Sequence, residues 1–186
     1  MSCCRIALIW GGLLATAVGT LPQASAQSSA APVMVPQTHI RVYFTPGDSA
    51  EMAILEQLAG AKDSILVQAY SFTNPAIASA LGDARSRGVN VIILLDKSQR
   101  SQKYSAADYA SHSGISTYID DRHAIAHNKI MIIDGQVVIT GSYNFTRAAE
   151  KSNAENLVII ESGPIAEKYI NNWQKHRRHS QPYQAR

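Results

Sequence analysis

Four residues between positions 127 and 144 have types and spacing suited to phosphoryl chemistry: His127, Lys129, Ser142 and Asn144. Lys129 offers a cation, Ser142 and Asn144 offer neutral donors, and His127 offers a titratable ring nitrogen. Such a set can neutralise the oxygens of a phosphate while the imidazole attacks phosphorus or moves a proton. Alone, His127 would read as a surface histidine beside a solvated lysine. The convergence of four polar groups is what argues for a bound ligand.

The elements that must position them follow from the turn between them. Asp134-Gly135 separates two apolar runs, residues 127–133 and 136–140, and signals a hairpin closed by a two-residue type I′ turn. In that register Ile133 faces Gln136, Lys129 faces Thr140 and His127 faces Ser142. Alternation of side chains then sends His127, Lys129, Ser142 and Asn144 to one face, and Asn128 and Asp134 to the other. Asp134 is thereby read as a structural residue of the turn.

Around this hairpin, strands are expected at 39–44, 64–69, 89–95, 115–119 and 156–161. The run 89–95 (VNVIILL) is apolar enough for a strand buried on both faces. Helices are expected up to Gly60, opened by a capping box at Asp48-x-x-Glu51, and over 75–87, 104–113 and 164–178. Pro75 near the start and Gly88 just past the end bracket the second of these. Strands alternating with helices predict an α/β domain, a mixed β-sheet flanked by helices on both faces. No internal repeat is visible.

The N-terminal segment reads differently. Arg5 precedes the apolar run Ile6–Ala15, and Ala24-Ser25-Ala26 is an A-x-A site, the pattern of a cleaved signal peptide over 1–26. A retained membrane anchor is the alternative, although the run is shorter than the roughly 20 residues a span needs. Residues 27–38, rich in Ser, Ala and Pro, read as a flexible leader, and 39–186 as the folded domain. Cys3 and Cys4 are the chain's two cysteines, so the exported form would carry neither a thiol nucleophile nor a disulfide. The localisation expected is the periplasm, or secretion. With 17 Lys+Arg against 14 Asp+Glu, the net charge of +3 is too small for a polybasic protein, and nucleic-acid contacts must come from local clusters.

His127-Asn128-Lys129-Ile130-Met131-Ile132-Ile133-Asp134 is H-x-K-x4-D, and Gly141-Ser142-Tyr143-Asn144 is G-S-x-N. With Asn144-Phe145-Thr146 and Asn153-Ala154-Glu155-Asn156, the stretch from Ala124 to Ile160 resembles the phospholipase D superfamily, in particular its small bacterial periplasmic endonucleases. The resemblance implies the phospholipase D-like fold and a metal-independent phosphodiesterase that cleaves DNA, with RNA as a further candidate, with little sequence preference. It implies that His127 forms a covalent phosphohistidine and that Lys129 and Asn144 hold the non-bridging oxygens with Ser142 in support. Glu155 would accept a hydrogen bond from the imidazole and fix its tautomer. No cofactor is implied. Because this chemistry needs two histidines and the chain carries one motif, the resemblance implies a homodimer with one shared active site.

Other readings compete for the same residues. His123-x3-His127 has metal-ligand spacing, but Ala124 stands where a zinc protease has Glu, so no metal is expected there. His112, His176 and His179 read as surface residues, and Asp120-Asp121, a pair that could bind a cation, as part of a solvated loop. Lys97, Arg100 and Lys103 follow a buried strand, where α/β sheets place ligand loops, whereas Lys175, Arg177 and Arg178 read as a solvated helix end. Tyr104 and Phe72 could stack on bases or belong to the core. The principal alternative function is a lipid phosphodiesterase using the same site, which should show an exposed apolar rim or an amphipathic membrane-facing segment. A non-catalytic binder would be expected to lack one of His127, Lys129, Asn144 and Glu155.

Overall fold

Runs rich in Ile and Val form the strands, and stretches with Ala, Ile and Leu at helical spacing form the helices that cover them. The computed structural model describes residues 38–185, so the signal-peptide reading and nearly all of the leader lie outside the described residues. Strands are β1 (His39–Thr45), β2 (Ser64–Ala69), β3 (Asn90–Asp96), β4 (Ser116–Asp120), β5 (Lys129–Ile133), β6 (Val137–Gly141), β7 (Glu155–Glu161) and β8 (Gln181–Pro182). Helices are α1 (Ala50–Gly60), α2 (Pro75–Ser86), α3 (Ala107–His112), α4 (Arg147–Lys151) and α5 (Gly163–His179).

The strands form one mixed sheet in the order β1-β7-β6-β5-β2-β3-β4-β8. β2, β3 and β4 are parallel and every other pairing is antiparallel. Helices cover both faces. α1, α2, α3 and α4 pack Ile54, Leu58, Ile77, Leu81, Ala107 and Ala149 into the core on one face. On the other, α5 lays Ala166 and Trp173 over Leu94, Ile130, Ile132 and Val138, and the Trp173 indole donates to the Val67 carbonyl at 3.0 Å. Because β5 and β7 run against β2, one end of the sheet collects the last residues of β2, β3, β4 and β6 with the first of β5 and β7. In open sheets this end, beside the point where strand order reverses, is where ligands sit.

The hairpin departs from the expected register. Asp134 (φ 52°) and Gly135 (φ 64°) both adopt the left-handed conformation of a tight turn, closed by Gln136 N–H donating to the Ile133 carbonyl at 3.0 Å. The ladder, however, pairs Ile133 with Val137 and Met131 with Ile139, one residue off the two-residue hairpin. Gln136 is drawn out because its carbonyl accepts from Ser162 N–H at 2.8 Å. The slip alone would turn Ser142 to the wrong face. A bulge corrects it: Ser142 and Tyr143 N–H both donate to the Asn156 carbonyl, at 3.1 and 3.2 Å. Gly141 (φ 144°) makes that approach possible, since a Cβ there would collide with the same carbonyl.

The capping box at Asp48 and Glu51 is not formed. The Asp48 carboxylate accepts from Phe44 N–H at 2.7 Å, while Glu51 takes the Asn74 side-chain amide. Residues 97–106, expected partly as helix, supply a 3-10 turn and loop before α3, because Asp96 caps that turn by accepting from Ser98 N–H at 2.9 Å. α4 and β8 were not expected from the sequence; both are too short to carry a periodic pattern.

Candidate active site

His127 and Lys129 stand where the loop from β4 enters β5. Lys129 is the first residue of β5, 6% exposed, on the face that also carries Met131 and Ile133. His127 precedes the strand and is exposed. The Lys129 ammonium lies 3.1 Å from His127 Nε2 and 3.1 Å from the His127 carbonyl. An ammonium has donors only, so Nε2 is the acceptor and presents its lone pair, and the ring proton belongs on Nδ1. Tyr70, at the end of β2, packs its ring on the imidazole with centroids 4.6 Å apart, and the Lys129 Nζ lies 5.2 Å from the same ring. Burial pushes the Lys129 pKa below the ordinary value, while the charge of Glu155 pulls it back up. Glu155 therefore favours the charged ammonium that burial disfavours.

Glu155 opens β7 and is bound by its neighbours. Ser142 Oγ donates to one carboxylate oxygen at 2.6 Å and the Asn153 amide to the other at 3.0 Å. Ser142 Oγ also accepts from Asn156 N–H at 3.0 Å, so its hydroxyl is committed to holding Glu155 in place. The expected hydrogen bond from the His127 imidazole to Glu155 is not made within the chain, because the ring turns onto Tyr70 and Lys129 instead. Asn144 lies on the floor of an open groove of about 790 Å³ lined also by Tyr70, Gln102, Tyr104, Thr146 and Arg147. Among the described residues its Oδ1 is buried with no hydrogen-bond partner, and none of them takes a hydrogen bond from its side-chain N–H groups, the donors a ligand oxygen would use. Thr146 caps α4 by accepting from Ala149 N–H at 3.1 Å and thereby fixes the turn that presents Asn144 and Arg147.

Asp134 sits at the far end of the sheet. Its carboxylate accepts from the backbone N–H groups of Lys62, Asp63 and Ser64 at 3.0, 2.8 and 2.9 Å. Burial works to raise its pKa, but these bonds outweigh it and the net shift is downward. It ties the hairpin to the start of β2 and has no contact with His127.

The profile of the family described as cardiolipin synthase, PLD-like domain, matches residues 54–177, two thirds of the chain. The chain belongs to the phospholipase D superfamily. It is 43% identical over 137 residues to a phospholipase D of Rickettsia bellii, covering 74% of this chain and 68% of that one. It is 31% identical over 138 residues to a mitochondrial cardiolipin hydrolase of Xenopus laevis, covering 74% and 66%. The solved structure of Nuc, a phospholipase D family member from Salmonella typhimurium, superposes with a TM-score of 0.77 at 38% identity, over 80% of this chain and all of that one. The mixed sheet between helical layers is thus the phospholipase D-like fold, and the protein is a phosphodiester hydrolase of this superfamily.

Within that framework the structure brings His127 and Lys129 together, puts Glu155 with Ser142, and places Asn144 in a groove that reaches them through Tyr70. Tyr70 was not among the residues singled out from the sequence. Its position directly after β2, where ligand loops begin, was the available signal. Arg147 was missed because α4 was missed. Phe72 belongs to the core, fully buried and edge-on to Phe145, whereas Tyr104 is 72% exposed on the groove. His123 does not pair with His127. It joins Asp120, His176 and His179, which are neither a solvated loop nor plain surface: Asp120 is 1% exposed and all three rings reach its carboxylate.

Proposed function

We propose that this phospholipase D-superfamily hydrolase is an endonuclease that cleaves DNA with little sequence preference through a phosphohistidine. The observation that supports this most is His127 Nε2 held 3.1 Å from the Lys129 ammonium beside a groove edged by a cation, the exposed Tyr104 and the half-buried Tyr70. Arg147 suits a phosphate of the strand, and Tyr104, with the Lys103 ammonium 5.4 Å from its ring, suits a stacked base. A phosphodiester oxygen entering the site takes the Lys129 N–H from Nε2 and frees the lone pair. Nε2 then bonds to phosphorus as the P–O bond to the leaving nucleotide breaks. A second histidine gives that oxygen its proton, then takes one from water as the water oxygen bonds to phosphorus and the P–N bond to His127 breaks. The amide of Asn144 and the ammonium of Lys129 hold the non-bridging oxygens as charge develops on them.

The second histidine comes from a second copy of the chain, so the reading includes a homodimer with one shared site. In controlled heterodimers carrying one His127→Ala chain, activity should fall to near zero; retention of half would mean independent sites. Export to the periplasm through residues 1–26 belongs to the same reading, and N-terminal sequencing of the cell-envelope fraction should begin at Gln27.

The test of the activity is plasmid nicking in excess EDTA at 25 °C, with His127→Ala beside the wild type. Cleavage by wild type alone supports histidine chemistry on DNA; cleavage by both, or only with added divalent ion, overturns it. One observation favours a lipid substrate instead. β1 turns Ile40, Val42 and Phe44 outward at 59, 49 and 63% exposure, and Phe44 is paired with Asn156 beside Glu155. The row lies on the face of β1 opposite Tyr43, and its Phe44 end, at the same end of the sheet as the site, offers an apolar edge to a lipid. Hydrolysis of cardiolipin vesicles without DNA nicking would decide for it.

A further inference from the structure

The end of β4 carries a second polar cluster that phosphodiester hydrolysis does not use. Three imidazoles converge on the buried carboxylate of Asp120: His176 Nδ1 lies 2.7 Å from one oxygen, and His123 Nδ1 and His179 Nε2 lie 3.1 and 3.2 Å from the other. The four candidate ligand atoms all lie within 4.8 Å of one another. His176 and His179 stand one turn apart at the end of α5, where this spacing puts both on one face, and His123 reaches in from the loop after β4.

We propose that Asp120, His123, His176 and His179 form a binding site for zinc or a closely similar divalent ion, which clamps α5 and the loop 121–128 onto the end of β4.

The donor set argues for this. Three neutral imidazoles and one carboxylate make an N3O site of the borderline softness that zinc prefers. Tetrahedral bonds of about 2.0–2.2 Å place ligand atoms roughly 3.3–3.5 Å apart, so drawing in the widest pair by little more than 1 Å completes the coordination. His123, whose side chain is 44% exposed, is free to make that swing. The neighbouring strand supplies a contrast. Asp96 is paired with Asp120 in register, and its carboxylate is satisfied by the backbone N–H groups of Ser98 and Ala126 at 2.9 and 2.7 Å. A carboxylate at a strand end here needs no histidines, yet Asp120 has gathered three. All four ligands come from the protein, so no position is left for a reacting water, and the role is structural.

The loop held this way leads directly to His127. His123 is fixed at one side by the Lys97 ammonium on its carbonyl at 3.0 Å, and Ala126 by Asp96. The ion would stiffen the remaining side of the loop that delivers the catalytic imidazole.

Zinc content and melting temperature test this without reference to DNA cleavage. The protein as recovered from cells, free of any histidine tag, is stripped with chelator and titrated with zinc against a chromophoric competitor. Expected are one zinc per chain, a melting temperature that rises with zinc and falls with chelator, and a visible tetrahedral absorption with cobalt. His176→Ala/His179→Ala should abolish all three, and His112→Gln should change none. His123→Gln removes the most exposed ligand at least risk to folding and should weaken binding at least about tenfold. A wild type that takes up no zinc at micromolar concentration, or binds no more tightly than His123→Gln, overturns the proposal and leaves the rings as hydrogen-bond partners of Asp120.

Discussion

Two histidine sites share one end of the sheet, with His123 of one and His127 of the other four positions apart, and their electrostatic settings are opposite. His127 meets a cation, Lys129, and an aromatic ring, Tyr70. His123, His176 and His179 meet an anion, Asp120, whose pKa is set by burial, which would raise it, and by the three imidazole bonds, which prevail and hold it at about 2. A cation beside a ring nitrogen fixes that nitrogen as an acceptor, and in the proposed mechanism its lone pair is freed for phosphorus when a substrate oxygen takes over the ammonium N–H. An anion draws N–H groups or an ion inward and commits the rings. The residue type is the same in both places; the charge of the partner divides the proposed nucleophile from the proposed clamp.

The largest expected effect comes from exchanging which histidine is lost. His127→Ala should lower the phosphodiesterase rate by at least about 10⁴-fold with little change in melting temperature. His123→Ala should do the reverse, lowering stability while keeping most of the rate at 25 °C. If the two variants lost rate equally, the division would fail. Next comes Lys129→Met, which removes one charged donor to the phosphate and should cost on the order of 10²–10³-fold in kcat. Since burial already pushes its pKa down, folding gains little from the ammonium, and the melting temperature should stay within about 2 °C or rise. A drop of several degrees would make Lys129 a structural residue.

The sequence made the first cluster legible and hid the second. H-x-K and G-S-x-N lie close together on one hairpin, so local alternation and a turn signal brought them into one frame even though the pairing was one residue off. The slip did no damage to the site because the bulge at Gly141–Ser142 turned Ser142 back toward Glu155, a compensation that depends on the Asn156 carbonyl from another strand. Asp120 and His176 are separated by 56 positions and meet only because α5 returns across the sheet to the end of β4. No spacing rule predicts such a meeting, and D-x-x-H with H-x-x-H looks like side chains in water until the helix is docked. Helix α4 was hidden for another reason. Five residues are too few for a periodic stripe, and its signal was the cap at Thr146.

Asp134 sharpens the contrast from the far end of the sheet, as a carboxylate held by backbone N–H groups, with the charge of Lys62 as a smaller aid. Three backbone N–H groups lose their acceptor in Asp134→Ala, which should destabilise the fold by about 1–2 kcal/mol and leave kcat unchanged. The folded pKa lies below the unfolded value of 3.8, so the contribution is fully present above pH 3.8 and disappears as pH falls through the lower folded value. Urea denaturation of wild type and variant should therefore differ at pH 7 and converge as pH drops below 3.8 toward that value. A gap that persists unchanged into strong acid would mean that the side chain acts by shape rather than by charge.

The smallest effect concerns substrate held outside the chemistry. Arg147 is exposed on the groove, and unlike Lys129 it is not buried, so it can neutralise a strand phosphate without bearing on the reacting one. Removing it by Arg147→Ala should raise KM for DNA a few-fold while leaving kcat intact, since it is bound equally in ground and transition states. Counterion release gives a sharper readout. One duplex phosphate contact contributes about −0.9 to the slope of log affinity against log salt, so the variant's slope should be shallower by about 1. Equal slopes, with KM unchanged, would place the DNA on the opposite wall of the groove and leave Tyr104 and Lys103 as the edge that grips it.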